Sequence, residues 1–455
     1  MYKKRRGDLE KRYPVVILAA GEGSRLRQGS SLPKPLTPLL GLTLLERSLL
    51  TWKKAGATRF YVVTGWQGEE VSRHARELAA RHGLELEVVD NPQWLQGNGT
   101  SVLAVKGRVS SPFYISMVDH VFQPEIIEEF IQQARWEGGV TMAVDPRIGQ
   151  IFDVADATKV RLEKDLVTEI GKDISPYHAV DMGLFLAGPQ VFQALEEALK
   201  EGDGSFTGGI RRLARQGQVN AVKIEEGFWT DVDTPESLDH AREGLLRWAS
   251  HSPWEGWISR YINRFFSRRI TQRLSSTTIS PNQVTFLSFL VATAAALLFV
   301  PGRPGTTFLA ALLVQGASIL DGCDGELARL KFMSTPWGAW WDTILDRYAD
   351  GAIVLGITLG YSRAHPGAWP WLLGLLSLLA FTMVSYVKKE YALRFGNPLP
   401  PGPRDKLTRR DLRLFAIFLG GLLNQPFWAM VIMAAVSHGW IAWALVSSKV
   451  QGSRF

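Results

Sequence analysis

The sequence predicts a Rossmann-like α/β domain followed by an all-α domain of six membrane-spanning helices. Two contrasts carry this reading. Up to about residue 250, apolar and charged residues alternate as in a soluble α/β protein, whereas from Gln283 onward long apolar runs rich in Leu, Ala, Trp and Phe take over. The mean hydropathy is close to zero although 21% of residues are charged, which is the average of two unlike halves. A third observation is the placement of charge. The formal net charge is +7, and the basic residues gather beside the apolar runs. That fits the cytoplasmic edge of a membrane and argues against a nucleic-acid partner.

The first domain is assigned to residues 1–245. VVILAA (15–20), RFYVVTG (59–65), LELEVVD (84–90), FYISMVD (113–119) and VTMAVD (140–145) read as strands. LLERSLLTWKKAG and EEVSRHARELAARHG between them read as amphipathic helices. This is the pattern of a mostly parallel sheet covered on both faces. The basic N-terminus leads straight into a strand-like run and reads as no signal peptide, so the domain is expected in the cytosol. Cys323 is the sole cysteine, which excludes an internal disulfide.

Residues 246–280 form a linker. Within 253–275, Trp254, Trp257, Ile258, Tyr261, Ile262 and Phe265 recur at helical spacing, as do Arg260, Arg264 and Arg268. Such a helix suits the membrane interface. Residues 281–455 hold six expected spans, near 283–300, 306–329, 338–361, 368–388, 411–424 and 426–448. The fifth is short for a crossing of about 20 residues. Segment 388–413 is rich in Lys and Arg, while the opposite loops hold Arg303 and Arg363. By charge asymmetry both termini face the cytosol, making a multi-pass protein of the inner membrane.

The densest chemistry lies in DGCDGELARLKFMSTPWGAWWDTILD, 321–346. Asp321, Asp324, Asp342 and Asp346 sit at the cytoplasmic ends of the second and third spans, at spacings of three and four that put each pair on one helix face. Intramembrane carboxylates are costly unless paired, solvated or bound to cations. An oxygen-only ligand set points to a hard divalent ion. Buried salt bridges of a transporter core would also place acids here. Gly325 and Gly338 permit close approach, and Arg329 suits a phosphate.

The string Asp321-x2-Asp324-Gly325-x2-Ala328-Arg329-x8-Gly338-x3-Asp342-x3-Asp346 resembles the signature of the CDP-alcohol phosphotransferases, and PNQVT (281–285) is similar to the segment that precedes it. The resemblance covers roughly 255–455. It implies that Asp321, Asp324, Asp342 and Asp346 hold metal, with Asp346 also the base on the acceptor hydroxyl. It further implies that Gly325, Ala328 and Arg329 line the CDP site. Lys388, Lys389, Arg409 and Arg410 are candidates for a phosphate-bearing acceptor, or for membrane anchoring.

In the first domain, LAAGEGSRLRQGSSLPKPL supplies Gly21 and Gly23 in a turn after a strand, then Arg25 and Lys34. Backbone N–H groups of such a turn hold phosphate. The string resembles the signature of sugar-phosphate nucleotidyltransferases, over about 13–245. The resemblance implies Mg²⁺ or Mn²⁺ on Asp119 and on Asp231 or Asp233 of WTDVDTP. It implies base recognition by Asn91, Gly97, Asn98 and Gly99, and acceptor binding by Lys172 and Asp181. Arg25 and Lys34 would supply the electrostatics of attack on the α-phosphorus.

The fusion resembles the bifunctional inositol-1-phosphate cytidylyltransferase and di-myo-inositol phosphate phosphate synthase family. NPxWxxGNGxS, VDH, IGK and WxDVDTP carry the detailed likeness. CTP, inositol 1-phosphate and CDP-inositol are then the expected ligands, with Mg²⁺ or Mn²⁺ in both active sites, a lipid bilayer around the second domain and a possible homodimer through it. Met182 stands where threonine is expected. Two alternatives stand beside it: transfer of the activated polyol phosphate onto a lipid alcohol, which uses the same signature, and a membrane half that is a carrier or inactive anchor, against which the four retained carboxylates argue.

Overall fold

The computed structural model describes residues 13–27, 31–109, 112–251, 256–397, 399 and 402–452. The chain divides into two compact units, one ending at Trp248 and the other beginning at Ala249.

The first unit is built on a nine-stranded sheet: β1 Val15–Ala19, β2 Arg59–Thr64, β3 Glu85–Asp90, β4 Phe113–Met117, β5 Val140–Asp145, β6 Lys159–Glu163, β7 Leu166–Gly171, β8 Ala179–Ala187 and β9 Val219–Lys223. The order is β3-β2-β1-β4-β8-β5-β9-β7-β6. β1 pairs in parallel with β2 and β4, β2 with β3, and β5 with β9. β8 runs antiparallel between β4 and β5, and β6 and β7 form an antiparallel edge. The sheet is therefore mixed rather than mostly parallel. The edge strands KVRLE and LVTEIG are short and half polar, so their apolar signal is weak.

Both faces of the sheet are covered, which explains continuous apolar runs such as VVILA. Val15, Ile17 and Ala19 pack in one layer with Leu45, Leu49 and Trp52 of α1 (Leu44–Lys54) and with Val71 and Leu78 of α2 (Gly68–His82). Val16 and Leu18 pack in the other with Val102 of α3 (Asn98–Leu103), Leu195 of α5 (Gln190–Lys200) and Ile210 of α6 (Phe206–Arg215). Helix α4 (Pro124–Gln133) joins the first layer, and α7 (Pro235–Ser250) ends the unit. Chain order reverses between β1 and β4, and ligands of open α/β sheets bind outside the strand ends at such a point.

The second unit is helical: α8 Arg264–Ser275, α9 Pro281–Phe299, α10 Pro304–Leu330, α11 Pro336–Ala364, α12 Trp369–Phe395, α13 Arg410–Leu422 and α14 Pro426–Gly452. Ser280 and Gln283 form a reciprocal capping box that starts α9, with Pro281 at its first position. Thr335 caps α11 by accepting from Gly338 N, ahead of Pro336.

Among the described residues, four helices are long and apolar enough to cross a membrane: Pro281–Phe299, Pro304–Leu330, Trp369–Phe395 and Pro426–Ser447. They mark the unit as membrane-associated. Six helices stand where six spans were expected, but α11 carries Asp342, Asp346, Arg347 and Asp350, and α13 has 13 residues. Trp257, Tyr261, Phe265 and Phe266 are exposed, while Asn263, Arg264, Ser267 and Thr271 turn inward. The linker helix thus shows an aromatic outer face and a polar inner one. Trp254 lies outside the described residues.

Candidate functional site

The strand end of β1 leads through Gly21 and Gly23 into one helical turn, Ser24–Arg27. Gly23 has φ +62°, and a Cβ there would lie 2.5 Å from Lys34 Cβ, so glycine is required on both counts. Pro33 and Pro35 hold Lys34 in a tight turn, and its ammonium is buried against two carboxylates. It donates to Asp119 Oδ2 at 2.5 Å and to Asp233 Oδ1. Arg25 donates to Asp233 Oδ2 and to Asp156 Oδ2, each at 2.7 Å. Arg25, Lys34, Asp119 and Asp233 border a cavity of about 290 Å³ that Gly21, Gly23, Trp94, Asn98 and Ser101 also line.

Burial works against the Asp119 charge, but Lys34 and His120 outweigh it and hold the carboxyl well below the usual range. Burial likewise opposes the Lys34 charge, and Asp119 and Asp233 more than offset it, raising the pKa. His120 Nδ1 lies 2.9 Å from Asp119 Oδ1, and its ring stacks on Trp229. Asp233 lines the cavity, whereas Asp231 is not among its lining residues; burial raises the Asp231 carboxyl. Asp119 and Asp233 therefore converge on one cation and could exchange it for a metal ion.

Of the residues expected to read the base, Asn98 reaches the cavity. Asn91 is buried and donates to Thr100 and Ser101, both at 3.0 Å. Gly97, at φ +117°, and Gly99 press on the Gly204 carbonyl, where Cβ atoms would come within 2.4 and 2.7 Å. These three shape the loop rather than face the cavity. Lys172 is exposed and pairs with Asp156. Asp181 accepts from Gly183 N at 2.8 Å, and burial pushes its carboxyl up to about 6. Met182 points the other way, fully buried in the apolar layer with Leu184 and Ala143, so its departure from threonine is a packing matter.

In the helical unit, Asp321, Asp342 and Asp346 bring carboxylate oxygens within 4.8 Å of one another. Asp342 Oδ1 is buried without a hydrogen-bond partner, a donor set that suits a hard cation. Asp324 is set apart from this group: Thr285 of PNQVT donates to its Oδ2 at 2.5 Å, and Gly325 N to its Oδ1. The Arg329 guanidinium lies over Gly325, 3.4 Å from where a Cβ would be, and its Nε donates to Ala249 O. Ala328 lies one residue before it on α10, and a Cβ on Gly338 would meet Asn282 Oδ1 at 3.1 Å.

Arg410 Nη1 bridges Asp321 (3.0 Å) and Asp346 (2.8 Å), so it neutralises the acidic group directly. Its Nε donates to Asp350 at 3.0 Å. Lys388 pairs with Asp405 at 2.6 Å, and Arg409 lies 3.5 Å from the same acid. Lys388, Arg409 and Arg410 border a cavity of about 510 Å³ with Arg347 and Arg413; Lys389 is not among its lining residues. Arg413 Nε and Nη1, Arg409 Nη1 and Arg347 Nε are buried without partners, an unusual surplus of donors that suits a polyanion.

Sequence reasoning gave no role to Asp350, Arg347, Arg413 or Asp156, nor to Thr285 and His120, which lie within the PNQVT and VDH motifs. Asp350 was within reach, since it lies one further turn beyond Asp342 and Asp346 on the same face. Asp156 carried no local signal, because contacts 131 and 16 residues away in sequence give it its role.

Two family profiles match: the MobA-like NTP transferase domain over residues 15–220, and CDP-alcohol phosphatidyltransferase over residues 278–446. The chain is 41% identical over 429 residues to a bifunctional IPC transferase and DIPP synthase of Rubrobacter xylanophilus, covering 93% of this chain and 94% of that protein. It is 33% identical to the protein of that name from Thermococcus kodakarensis, over 89% of each. Among solved structures, an inositol-1-phosphate CTP transferase from T. maritima aligns with 51% of this chain and 97% of its own, at 25% identity and a TM-score of 0.44. With two transferase domains matched along one chain and this identity over nearly its whole length, the protein is a two-domain enzyme that belongs to the family of bifunctional IPC transferases and DIPP synthases.

Proposed function

We propose that the chain makes CDP-inositol from CTP and inositol 1-phosphate, then transfers its inositol phosphate group to a second inositol 1-phosphate with release of CMP. The product is phosphorylated di-myo-inositol phosphate. The observation that carries the reading is the pairing, in one chain, of a cation-lined phosphate cavity with the carboxylate trio beside a second, arginine-rich cavity.

In the first step a phosphate oxygen of inositol 1-phosphate attacks the α-phosphorus of CTP, and the bond to pyrophosphate breaks. Lys34 and Arg25 meet the triphosphate charge, and Lys172 the acceptor phosphate. Asp181 accepts from polyol hydroxyls. In the second step the acceptor hydroxyl attacks the inositol-bearing phosphorus, the bond to CMP breaks, and Asp346 takes the hydroxyl proton. Arg329 holds the CDP phosphates; Lys388, Arg409 and Arg410 hold the acceptor phosphate.

Asp119 with Asp233 in the first site, and Asp321, Asp324, Asp342 and Asp346 in the second, would hold Mg²⁺ or Mn²⁺. Such an ion neutralises phosphate charge and stabilises the leaving group. In our reading residues 1–245 are the cytosolic nucleotidyltransferase, 246–280 an interfacial helix, and 281–455 a six-span domain in the inner membrane. Asp346, Arg347 and Asp350 of α11 are paired with one another and with Arg410, which supports its crossing despite its charge. Both termini face the cytosol, and homodimers form through the membrane domain.

The test is mass spectrometry of products from detergent-purified protein given CTP, Mg²⁺ and inositol 1-phosphate. CDP-inositol plus a water-soluble phosphorylated di-inositol supports both steps. CDP-inositol alone would overturn the acceptor and favour a lipid alcohol, and unconsumed CTP would overturn the first step.

A further inference from the structure

Glu326 lies inside the signature at a position that no role has been given to, between Asp324 and Arg329. It is fully buried, and three side chains of α8 converge on it. Arg264 Nη1 donates to Oε1 at 2.5 Å, Ser267 Oγ to Oε1 at 2.6 Å, and Thr271 Oγ1 to Oε2 at 2.6 Å. All three donors are themselves buried. The contact continues along α10. Asn263 donates to Ser318 Oγ at 3.1 Å and accepts from Gln315 Nε2 at 2.7 Å, and Arg264 reaches the Gly322 carbonyl.

Residues 318, 322 and 326 form one stripe of α10 at a spacing of four. Asp321 and Asp324 lie toward the far side of the same helix, because five and two residues turn an α-helix by about 500° and about 200°, roughly 140° and 160° away from Glu326. An ion pair at this depth is a poor source of net stability, since apolar packing would serve as well. What it provides is a single register: a carboxylate with three donors has one satisfied orientation, whereas an apolar seam tolerates sliding and rotation. The magnitude matters for metal binding. Carboxylate oxygens project about 5–6 Å from the helix axis, so a rotation of about 10° moves them by about 1 Å. That is roughly half the Mg–O distance of about 2.1 Å.

We propose that Glu326 is a positioning residue: clasped by Arg264, Ser267 and Thr271, it sets the rotation of α10 and thereby aims Asp321 and Asp324 at the metal. The amphipathic helix then acts as the outer support of the metal site, with its aromatic face turned outward and its polar face spent on Glu326. This rests on the reading of Asp321, Asp324, Asp342 and Asp346 as metal ligands.

The experiment uses the full chain in detergent and reads Mn²⁺ binding by electron paramagnetic resonance, without substrates. Asp342→Asn identifies the signal of the helical unit. Glu326→Gln and the double variant Ser267→Ala/Thr271→Ala, which leaves every charge in place, should each weaken that Mn²⁺ site by roughly tenfold, as loss of groups that orient ligands does. CMP release should fall in parallel, and pyrophosphate release by the first unit should stay unchanged as the control for amount and folding. If Glu326→Gln does not fold, the Ser267/Thr271 variant carries the test alone. Mn²⁺ affinity within twofold of wild type in the folded variants overturns the proposal, whatever happens to CMP release. A wild-type chain that binds Mn²⁺ at this site but releases no CMP would overturn the transfer reaction and leave the positioning role standing.

Discussion

Replacing Asp181 by Asn tests how the first site holds its charge. The carboxyl is pushed by burial from an ordinary 3.8 up to about 6, against the opposing pull of the Gly183 N–H and His120. At about 1.4 kcal/mol per tenfold change in proton affinity, keeping Asp181 ionised costs the fold about 3 kcal/mol at pH 8. The sign follows from a raised acid pKa. The folded form binds the proton more tightly than the unfolded chain, so the cost is greatest above pH 6 and shrinks as pH falls. At pH 5 the same linkage leaves about 1.6 kcal/mol. Asn keeps an oxygen for Gly183 and abolishes the titration. The variant should therefore be more stable than wild type, by up to about 3 kcal/mol at pH 8 and about half that at pH 5. Hydrogen exchange of the β8 amides, corrected for intrinsic rates, reads the difference within that unit. If ionised Asp181 binds the polyol, pyrophosphate release in wild type should also lose kcat/KM below about pH 6, a limb absent from the slower variant. Equal pH dependence of exchange in the two proteins would refute the reasoning.

Lys34→Met removes the cation shared by Asp119 and Asp233. Pyrophosphate release should fall by about 10²–10³-fold, the usual effect of losing a charge-stabilising donor, with CMP release from supplied CDP-inositol unchanged. Gly23→Ala forces a left-handed alanine, at about 1–2 kcal/mol, and drives its Cβ into Lys34. The same assay should show a loss of at least about tenfold, toward the roughly 10²-fold that a misplacement near 1 Å can cost. Asp342→Asn is the reciprocal case: CMP release should drop about 10²-fold or more while pyrophosphate release persists. Equal losses in both assays would mean that the variant had unfolded the whole chain.

Local chemistry made much of this protein legible in its sequence. The run VVILA signals a strand buried on both faces, because apolar residues on both sides of the pleat can be accommodated only between two helical layers. Gly21, Gly23, Arg25 and Lys34 are close in the chain, so their turn was visible as a phosphate-binding element. Asp342 and Asp346 were visible as a pair because a helical spacing of four brings carboxylates onto one face before any packing is considered, whereas Asp321 joins them from another helix. Tertiary structure alone decided the rest. Antiparallel β8 sits between β4 and β5, a pairing that depends on strands distant in sequence. Arg410, an acceptor candidate in the sequence, is also the counter-ion of Asp321 and Asp346 because α13 packs against α10. Asn91, Gly97 and Gly99 became supports of a loop, since Asn91 is tied to Thr100 and Ser101 and the two glycines press on Gly204. Sequence determines which groups a helix or turn presents, because that geometry is local. Which charge faces which depends on how the elements pack, and that long-range choice gave Lys34, Arg410 and Glu326 their partners.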